Sequence, residues 1–83
     1  MIHELKILPE HFEPAISGLK SAEVRKNDRD YKVGDYLKLK EWDALGEPFT
    51  GFTGRIIVRQ VTHIADLKDY APGYVLLSMI PID

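Results

Sequence analysis

Two long apolar segments near the C-terminal end constrain the fold most. The segment from Arg55 to Ile64 has apolar residues on both faces, and the segment from Gly73 to Ile80 (GYVLLSMI) is an almost continuous apolar run. Segments with this pattern are typical of strands that are covered on both sides. We therefore predict that these two segments are the central strands of a sheet.

Two earlier segments alternate between polar and apolar residues, as half-buried strands do. The first runs from His3 to Leu8 and ends at Pro9, and the second is YLKLKEW at 36–42. In the second segment we expect Leu37 and Leu39 to face the core. The opposite face then carries Tyr36, Lys38, Lys40 and Trp42. Rings interleaved with ammonium groups suit base stacking and phosphate contact, although an amphipathic strand with solvated lysines has the same pattern.

A short helix is predicted between the first two strands. Its apolar stripe has the spacing i, i+3, i+4, i+7 and consists of Phe12, Ala15, Ile16 and Leu19. Pro9 suits the first turn and Gly18 a helix end. Pro14 removes an amide donor and crowds the preceding turn, so we expect a helix that is kinked or only about a turn and a half long.

The order of strand, helix and four strands predicts an α+β fold, a small twisted barrel of about five strands with one helix closing an end. With 83 residues the chain has room for one core, so we expect a single domain over 1–83. The absence of cysteine excludes disulfides and thiolate zinc sites. His3, His11 and His63 lack close metal-ligand spacing, so we predict no metal and no cofactor.

The N-terminal segment and the hydropathy predict a cytoplasmic protein with no membrane partner. The first ten residues carry charges where a signal peptide has its apolar core. No apolar run approaches the about 20 residues that a membrane helix needs. A long connection at 43–54, DALGEPFTGFTG, is predicted as a loop, and loops of this length are often functional.

Positive charge is concentrated in one part of an acidic chain. The net charge is -2, but residues 20–40 hold seven Lys or Arg against four Asp or Glu. A chain that is acidic as a whole is not expected to coat DNA non-specifically. The distribution instead predicts one locally positive surface.

The motif Gly18-x-Lys20-x-x-Glu23-x-Arg25 lies in this positive region. Residues 21–27 alternate, so that Ser21, Glu23, Arg25 and Asn27 share one face of a strand that we expect in the middle of the fold. Glu23 and Arg25 can form an ion pair that only fixes the strand, or a clamp for a phosphate or base edge. Lys20, if partly desolvated beside another cation, can act as a base or nucleophile.

The motif resembles the G-x-K-x-x-E-x-R signature of the ASCH domain, a branch of the PUA-like superfamily. Segments 3–7, 25–29, 33–35 and 52–55 are also similar, more closely, to a compact bacterial and phage ASCH-like family of uncharacterised function. The resemblance implies a mixed β-barrel around a central cleft, with a helix at its mouth and RNA as the ligand. It also implies that Lys20, Glu23 and Arg25 line the cleft.

Three functions remain open from the sequence. The first is RNA or nucleotide binding. The second is hydrolysis of a modified nucleoside or RNA with Lys20 as the reactive group and Glu23 as its partner, although the similar amidohydrolases have threonine in place of Glu23. The third is a protein-interaction domain of unknown oligomeric state.

Arg55 and Arg59 lie on one strand face and either extend the positive cleft or are solvated or paired. The predicted binding residues are Lys20, Glu23, Arg25, Asn27, Arg29, Tyr36, Lys38, Lys40, Trp42 and Arg55.

Overall fold

The computed structural model describes residues 1–43 and 51–82. Within these ranges a helix, α1 (Pro9–Ile16), accompanies five strands: β1 (Ile2–Ile7), β2 (Ala22–Lys26), β3 (Tyr36–Trp42), β4 (Phe52–Asp66) and β5 (Tyr74–Pro81). The strands form one sheet in the order β1-β3-β4-β5-β2, which curves into a half-barrel. β1 runs parallel to β3, and the other three pairs are antiparallel. The predicted α+β fold of about five strands with one short helix is confirmed.

The positions of β4 and β5 agree with the prediction, whereas that of β2 does not. β4 is the middle strand and β5 has a neighbour on each side, as expected for central strands. β2 was expected in the middle, but it pairs only with β5 and forms one edge of the sheet, with β1 at the other edge. Charged side chains on an edge strand disfavour pairing with other chains, which accounts for the composition of β2.

β4 begins three residues earlier than the predicted strand. Phe52 is the register partner of Trp42, and the Thr53 hydroxyl donates a 2.7 Å hydrogen bond to Glu41 of β3. These contacts draw residues 52–54 of the predicted loop into the sheet. Residues 44–50 of that loop lie outside the described residues.

A bulge explains why β4 has apolar residues on both faces. The register of β4 against β5 shifts between Val61 and His63, so one extra residue is accommodated there. Ile57 and Val61 are buried before the shift, and Ile64 packs against the same core after it. The side-chain alternation is therefore inverted along a single continuous strand.

The helix buries less of its apolar stripe than predicted. Phe12 and Ala15 are buried, but Ile16 is about half exposed and Leu19 is 86% exposed. The reason is that α1 ends at Ile16, and Gly18, with a φ of 85°, turns the chain away from the helix axis. The helix end near Gly18 is confirmed, while Leu19 is not part of the core. Among the described residues no helix has the length and hydropathy needed to cross a membrane.

The concave face of the sheet is mainly apolar. Its buried apolar residues come from every strand except β2, together with α1 and the segment before β3. They are Leu5, Ile7, Phe12, Ala15, Tyr31, Leu37, Leu39, Ile57, Val61, Val75, Leu77 and Met79. Four polar residues are also buried: His3, Glu23, Asp35 and Glu41.

Asp35 joins β1 to the turn that precedes β3. Its carboxylate accepts hydrogen bonds from His3 Nε2 at 2.8 Å and from the backbone N–H of Lys32 at 3.0 Å. Because a carboxylate only accepts, His3 Nε2 carries the proton. The bond from His3 is the largest of the contributions that lower the pKa of Asp35 to about 2.

We predict a pH-dependent loss of stability for Asp35→Asn. The pKa of Asp35 lies below its ordinary value of 3.8, so its contribution to the free energy of unfolding is complete above that pH and is lost as the pH falls toward 2. In urea denaturation the variant should be less stable than the wild type at pH 7. The difference should shrink between pH 4 and pH 2.

Asp30→Asn is the matched control, because the Asp30 side chain is 87% exposed and asparagine tolerates its φ of 49°. This variant should behave like the wild type at every pH. A penalty for Asp35→Asn that does not change with pH would contradict the assignment.

Candidate functional site

A buried carboxylate organises the sequence motif. The side chain of Glu23 is 6% exposed, and its Oε1 lies 2.9 Å from Lys20 Nζ. Its Oε2 accepts a 2.9 Å hydrogen bond from Arg25 Nε. Lys20 also donates to the carbonyl of Ala22. Each carboxylate oxygen therefore has its own cation, and the pair expected between Glu23 and Arg25 is present.

The charged face of β2 points inward. The alternation predicted for this strand is present, but Glu23 is buried while Val24, on the other face, is 56% exposed. Neighbouring cations make this possible, because a buried carboxylate is tolerated when it is paired and hydrogen-bonded.

Arg25 also connects the two edges of the sheet. Its Nη2 donates a 2.8 Å hydrogen bond to the carbonyl of Lys6 in β1. β1 and β2 do not pair through their backbones, since they lie at opposite ends of the strand order. The guanidinium of Arg25 therefore bridges the open side of the half-barrel.

A basic cleft lies at this bridge. It has a volume of about 190 Å³ and is lined by Leu5, Lys6, Arg25, Lys26, Asp28, Arg29 and Tyr31. The lining includes the basic residues Arg25, Lys26 and Arg29 and one carboxylate, Asp28, while Lys6 contributes its backbone carbonyl to the contact with Arg25. Lys26 and Arg29 form no salt bridge within residues 1–43 and 51–82, so their charges are not neutralised there. The cleft is thus suited to an anionic group.

Tyr31 adds a neutral donor to the cleft. Its side chain is 8% exposed, and its ring centroid lies 4.7 Å from that of His3. Burial raises the pKa of Tyr31 above its ordinary value, and the nearby charges of Arg25 and Arg29 oppose this effect without reversing it. The hydroxyl is therefore protonated at neutral pH.

The Tyr31 hydroxyl has no protein partner in the described part of the chain. None of the side-chain hydrogen bonds among the described residues involves it. Every fully buried side-chain nitrogen or oxygen among the described residues has a hydrogen-bond partner. Because the Tyr31 hydroxyl has none, it is not fully buried. It is available to a ligand in the cleft.

Arg55 belongs to a different ion-pair cluster. Arg55 Nη1 lies 2.7 Å from Glu13 Oε1, and its Nε lies 3.6 Å from the buried carboxylate of Glu41. Its guanidinium carbon is 4.6 Å from the centroid of the Phe12 ring. The pKa of Arg55 is raised, mainly by the bond to Glu13. Arg59 donates a hydrogen bond to the carbonyl of Ala15 at the end of α1. Both arginines therefore have protein partners, and neither lines the cleft.

The predicted stacking face of β3 lies on the outward side of the sheet. Leu37 and Leu39 are buried as predicted, so the side chains that alternate with them point away from the concave face. These are Tyr36, Lys38, Lys40 and Trp42. The structure therefore does not bring this group together with Glu23 and Arg25. Asn27 is exposed next to the cleft without lining it, and its backbone N–H donates to Gly73.

The outward face has contacts of its own. Lys40 Nζ is 4.7 Å from the centroid of Phe52 and 3.5 Å from Glu4 Oε1. Lys6 Nζ is 4.2 Å from the centroid of Trp42. A shallow apolar depression of about 450 Å³ lies on this side and is lined by Ile2, Tyr36, Lys38, Val58 and Ile82.

Apart from Leu5, four cleft residues were missing from the predicted set: Lys6, Lys26, Asp28 and Tyr31. Three of them lie next to the motif in the sequence, within the positive region, and proximity alone could have included them. Lys6 comes from β1 and is brought there by the approach of the two sheet edges, which periodicity does not reveal. No group of three or more potential ligand side chains that could hold a metal ion occurs in the described ranges.

Comparison with known protein sequences shows the family to which this small half-barrel with its charged motif belongs. The chain belongs to the family described as a domain of unknown function, DUF3850, whose model matches residues 2–79. It is similar to the uncharacterised 12.9 kDa protein in the GpA 3′ region of Escherichia phage P2. The two sequences are 43% identical over 79 residues, which are 95% of this chain and 68% of the phage protein. The predicted resemblance to a phage family of uncharacterised function is confirmed at this level.

We predict that Glu23→Gln destabilises the fold. The neutral amide cannot offset the charges of Lys20 and Arg25. Its NH2 group would also place a hydrogen-bond donor against the donor of one of these cations. We expect the free energy of unfolding to fall by roughly 2–4 kcal/mol. This is at the lower end of the range for breaking a buried ion pair, because both cations are partly exposed. Glu4→Gln, which removes the exposed contact to Lys40, should cost less than about 0.5 kcal/mol. Equal urea midpoints for the two variants would contradict this role for Glu23.

We predict that Gly51→Ala disturbs Trp42. Gly51 has a φ of 84°, and a Cβ at this position would overlap the indole of Trp42. Gly54 has a φ of 91° with open space around it, so Gly54→Ala has similar backbone strain without the overlap. Because Trp42 is the single tryptophan, its fluorescence reports the difference. The emission spectrum should change in Gly51→Ala and not in Gly54→Ala, and equal spectra would contradict the contact.

Proposed function

We propose that this domain binds RNA, with the cleft between β1 and β2 as the principal contact. The observation that carries the proposal is the composition of the cleft, where an otherwise acidic chain places Arg25, Lys26 and Arg29 against one carboxylate, Asp28. Phosphate groups are the main source of affinity in nucleic-acid binding, and Arg and Lys are the residues that contact them. An RNA ligand also fits the cytoplasmic location predicted from the sequence.

The resemblance to the ASCH domain supports this proposal. It implies a PUA-like barrel whose cleft is lined by the motif residues, and here Arg25 lines the cleft while Glu23 and Lys20 hold it in place. Arg25 has five N–H donors, of which Glu23 and Lys6 use two. Three donors therefore remain for a ligand on a side chain whose orientation is already fixed.

The hydrolase alternative has less support from the site. Lys20 donates to Glu23 and to the carbonyl of Ala22, which occupies two of its three donors. It is also not among the residues that line the cleft. A reactive lysine would have to leave both partners, so we assign Lys20 to positioning Glu23.

We predict salt-dependent RNA binding that Arg29→Ala weakens about tenfold, the loss typical of a hydrogen bond to a charged group. Arg29 is the informative position because it forms no salt bridge among the described residues, so its removal should leave the fold intact. The measurement is fluorescence anisotropy of labelled single-stranded RNA across a salt series. The slope of log Kd against log salt concentration should fall by about 0.7 in the variant.

Lys68→Ala is the matched control, since Lys68 is exposed and does not line the cleft. Its affinity and salt slope should match those of the wild type. An absence of binding at low salt, or equal losses in Arg29→Ala and Lys68→Ala, would overturn the proposal.

A further inference from the structure

We propose that the cleft takes a phosphomonoester, such as the terminal phosphate of an RNA strand or the phosphate of a mononucleotide. This inference rests on the proposed function, because it names the part of the RNA that enters the same cleft.

The cleft is small compared with a nucleic-acid strand. Its volume of about 190 Å³ equals the liquid volume of about six water molecules. This space holds one phosphate group and adjoining atoms but not a run of nucleotides. The ligand therefore enters with one group, and the remainder of a longer ligand lies outside.

The bridge formed by Arg25 prevents a strand from passing through. Arg25 donates to the carbonyl of Lys6 and thereby spans the gap between the two sheet edges. A strand that ran between β1 and β2 would have to break this bond. A chain end can enter the cleft without breaking it.

The charge of the lining favours a dianion. Lys26 and Arg29 outnumber the one lining carboxylate, Asp28, and Lys20 and Arg25 share the single charge of Glu23, so the charge at the cleft remains positive. A phosphomonoester carries about -1.5 to -2 charges at pH 7, whereas an internal phosphodiester carries about -1. The attraction is therefore stronger for a terminal phosphate than for one within a strand.

Tyr31 provides an independent indication of a ligand. Its hydroxyl is on a side chain that is more than nine-tenths buried, yet it has no partner among residues 1–43 and 51–82. Tyr31 lines the same cleft as Arg25 and Arg29. A terminal phosphate has three oxygens that accept hydrogen bonds, and the Tyr31 hydroxyl and the free arginine donors on the same cleft are suitable partners for them.

The test compares three RNAs of one sequence that carry a 5′-phosphate, a 3′-phosphate or two hydroxyl ends. Inorganic phosphate and a nucleoside 5′-monophosphate are measured in parallel by calorimetry. We expect at least one phosphorylated end to bind about tenfold more tightly than the hydroxyl-ended RNA. Tyr31→Phe should remove most of this preference.

Tyr36→Phe is the matched control, because it removes a hydroxyl from the outward face of β3. It should retain the preference for a phosphorylated end. Retention of the preference in Tyr31→Phe would overturn the role of Tyr31, and circular dichroism of each variant would show that the fold is retained.

The outcomes separate this inference from the proposed function. Equal, salt-sensitive binding of all three RNAs would overturn the inference and leave RNA binding in place. Binding of the monophosphate without binding of any RNA would support the phosphomonoester site and overturn the proposed function. Binding of none of these ligands would overturn both.

Discussion

The pairing of Glu23 with two cations is the interaction on which the cleft depends. A carboxylate on the inward face of β2 is costly to bury, and Lys20 and Arg25 offset that cost through one contact with each oxygen. The same contact fixes the guanidinium of Arg25 in the orientation that reaches the carbonyl of Lys6. A side chain that neighbouring groups already hold in one orientation loses less conformational entropy when a ligand binds to it.

Polar groups at both ends of β3 set the register of the sheet. On its inward side, two buried leucines are flanked by Asp35 and Glu41. Asp35 contacts His3, at the start of β1, while Glu41 contacts Thr53, at the start of β4. A shift of one residue would turn every buried side chain to the other face and separate both polar pairs. Each pair therefore specifies one alignment of β3 with its neighbour.

Much of the architecture was predictable from periodicity and local chemistry. The alternation of YLKLKEW places Leu37 and Leu39 in the core, and the two apolar segments near the C-terminal end become neighbouring strands, β4 and β5. The turn at Gly18 was also expected, because a positive φ at a helix end favours glycine. These features depend on residues that are close together in the sequence.

The features that were not predictable depend on long-range pairing. The alternation of β2 is the same in an edge strand as in a central one, so its place in the sheet could not be inferred from the sequence. Its inward face carries Glu23 because Lys20 and Arg25 approach from the same side, which depends on where α1 ends. The prediction that the apolar stripe includes Leu19 likewise assumed a helix longer than α1, which ends at Ile16.

The cleft exists only while the two edges of the sheet are held together. Lys6 belongs to β1, Arg25 to β2, and Arg29 and Tyr31 to the connection that leads from β2 to β3. The positive charges of Arg25, Lys26 and Arg29 repel one another, and this repulsion opposes closure when the cleft contains no anion. An anion that contacts both edges removes the repulsion and binds the folded arrangement alone, since the unfolded chain does not bring these residues together. Ligand binding and closure of the half-barrel are therefore linked, and the Arg25 bridge is the contact through which this linkage acts.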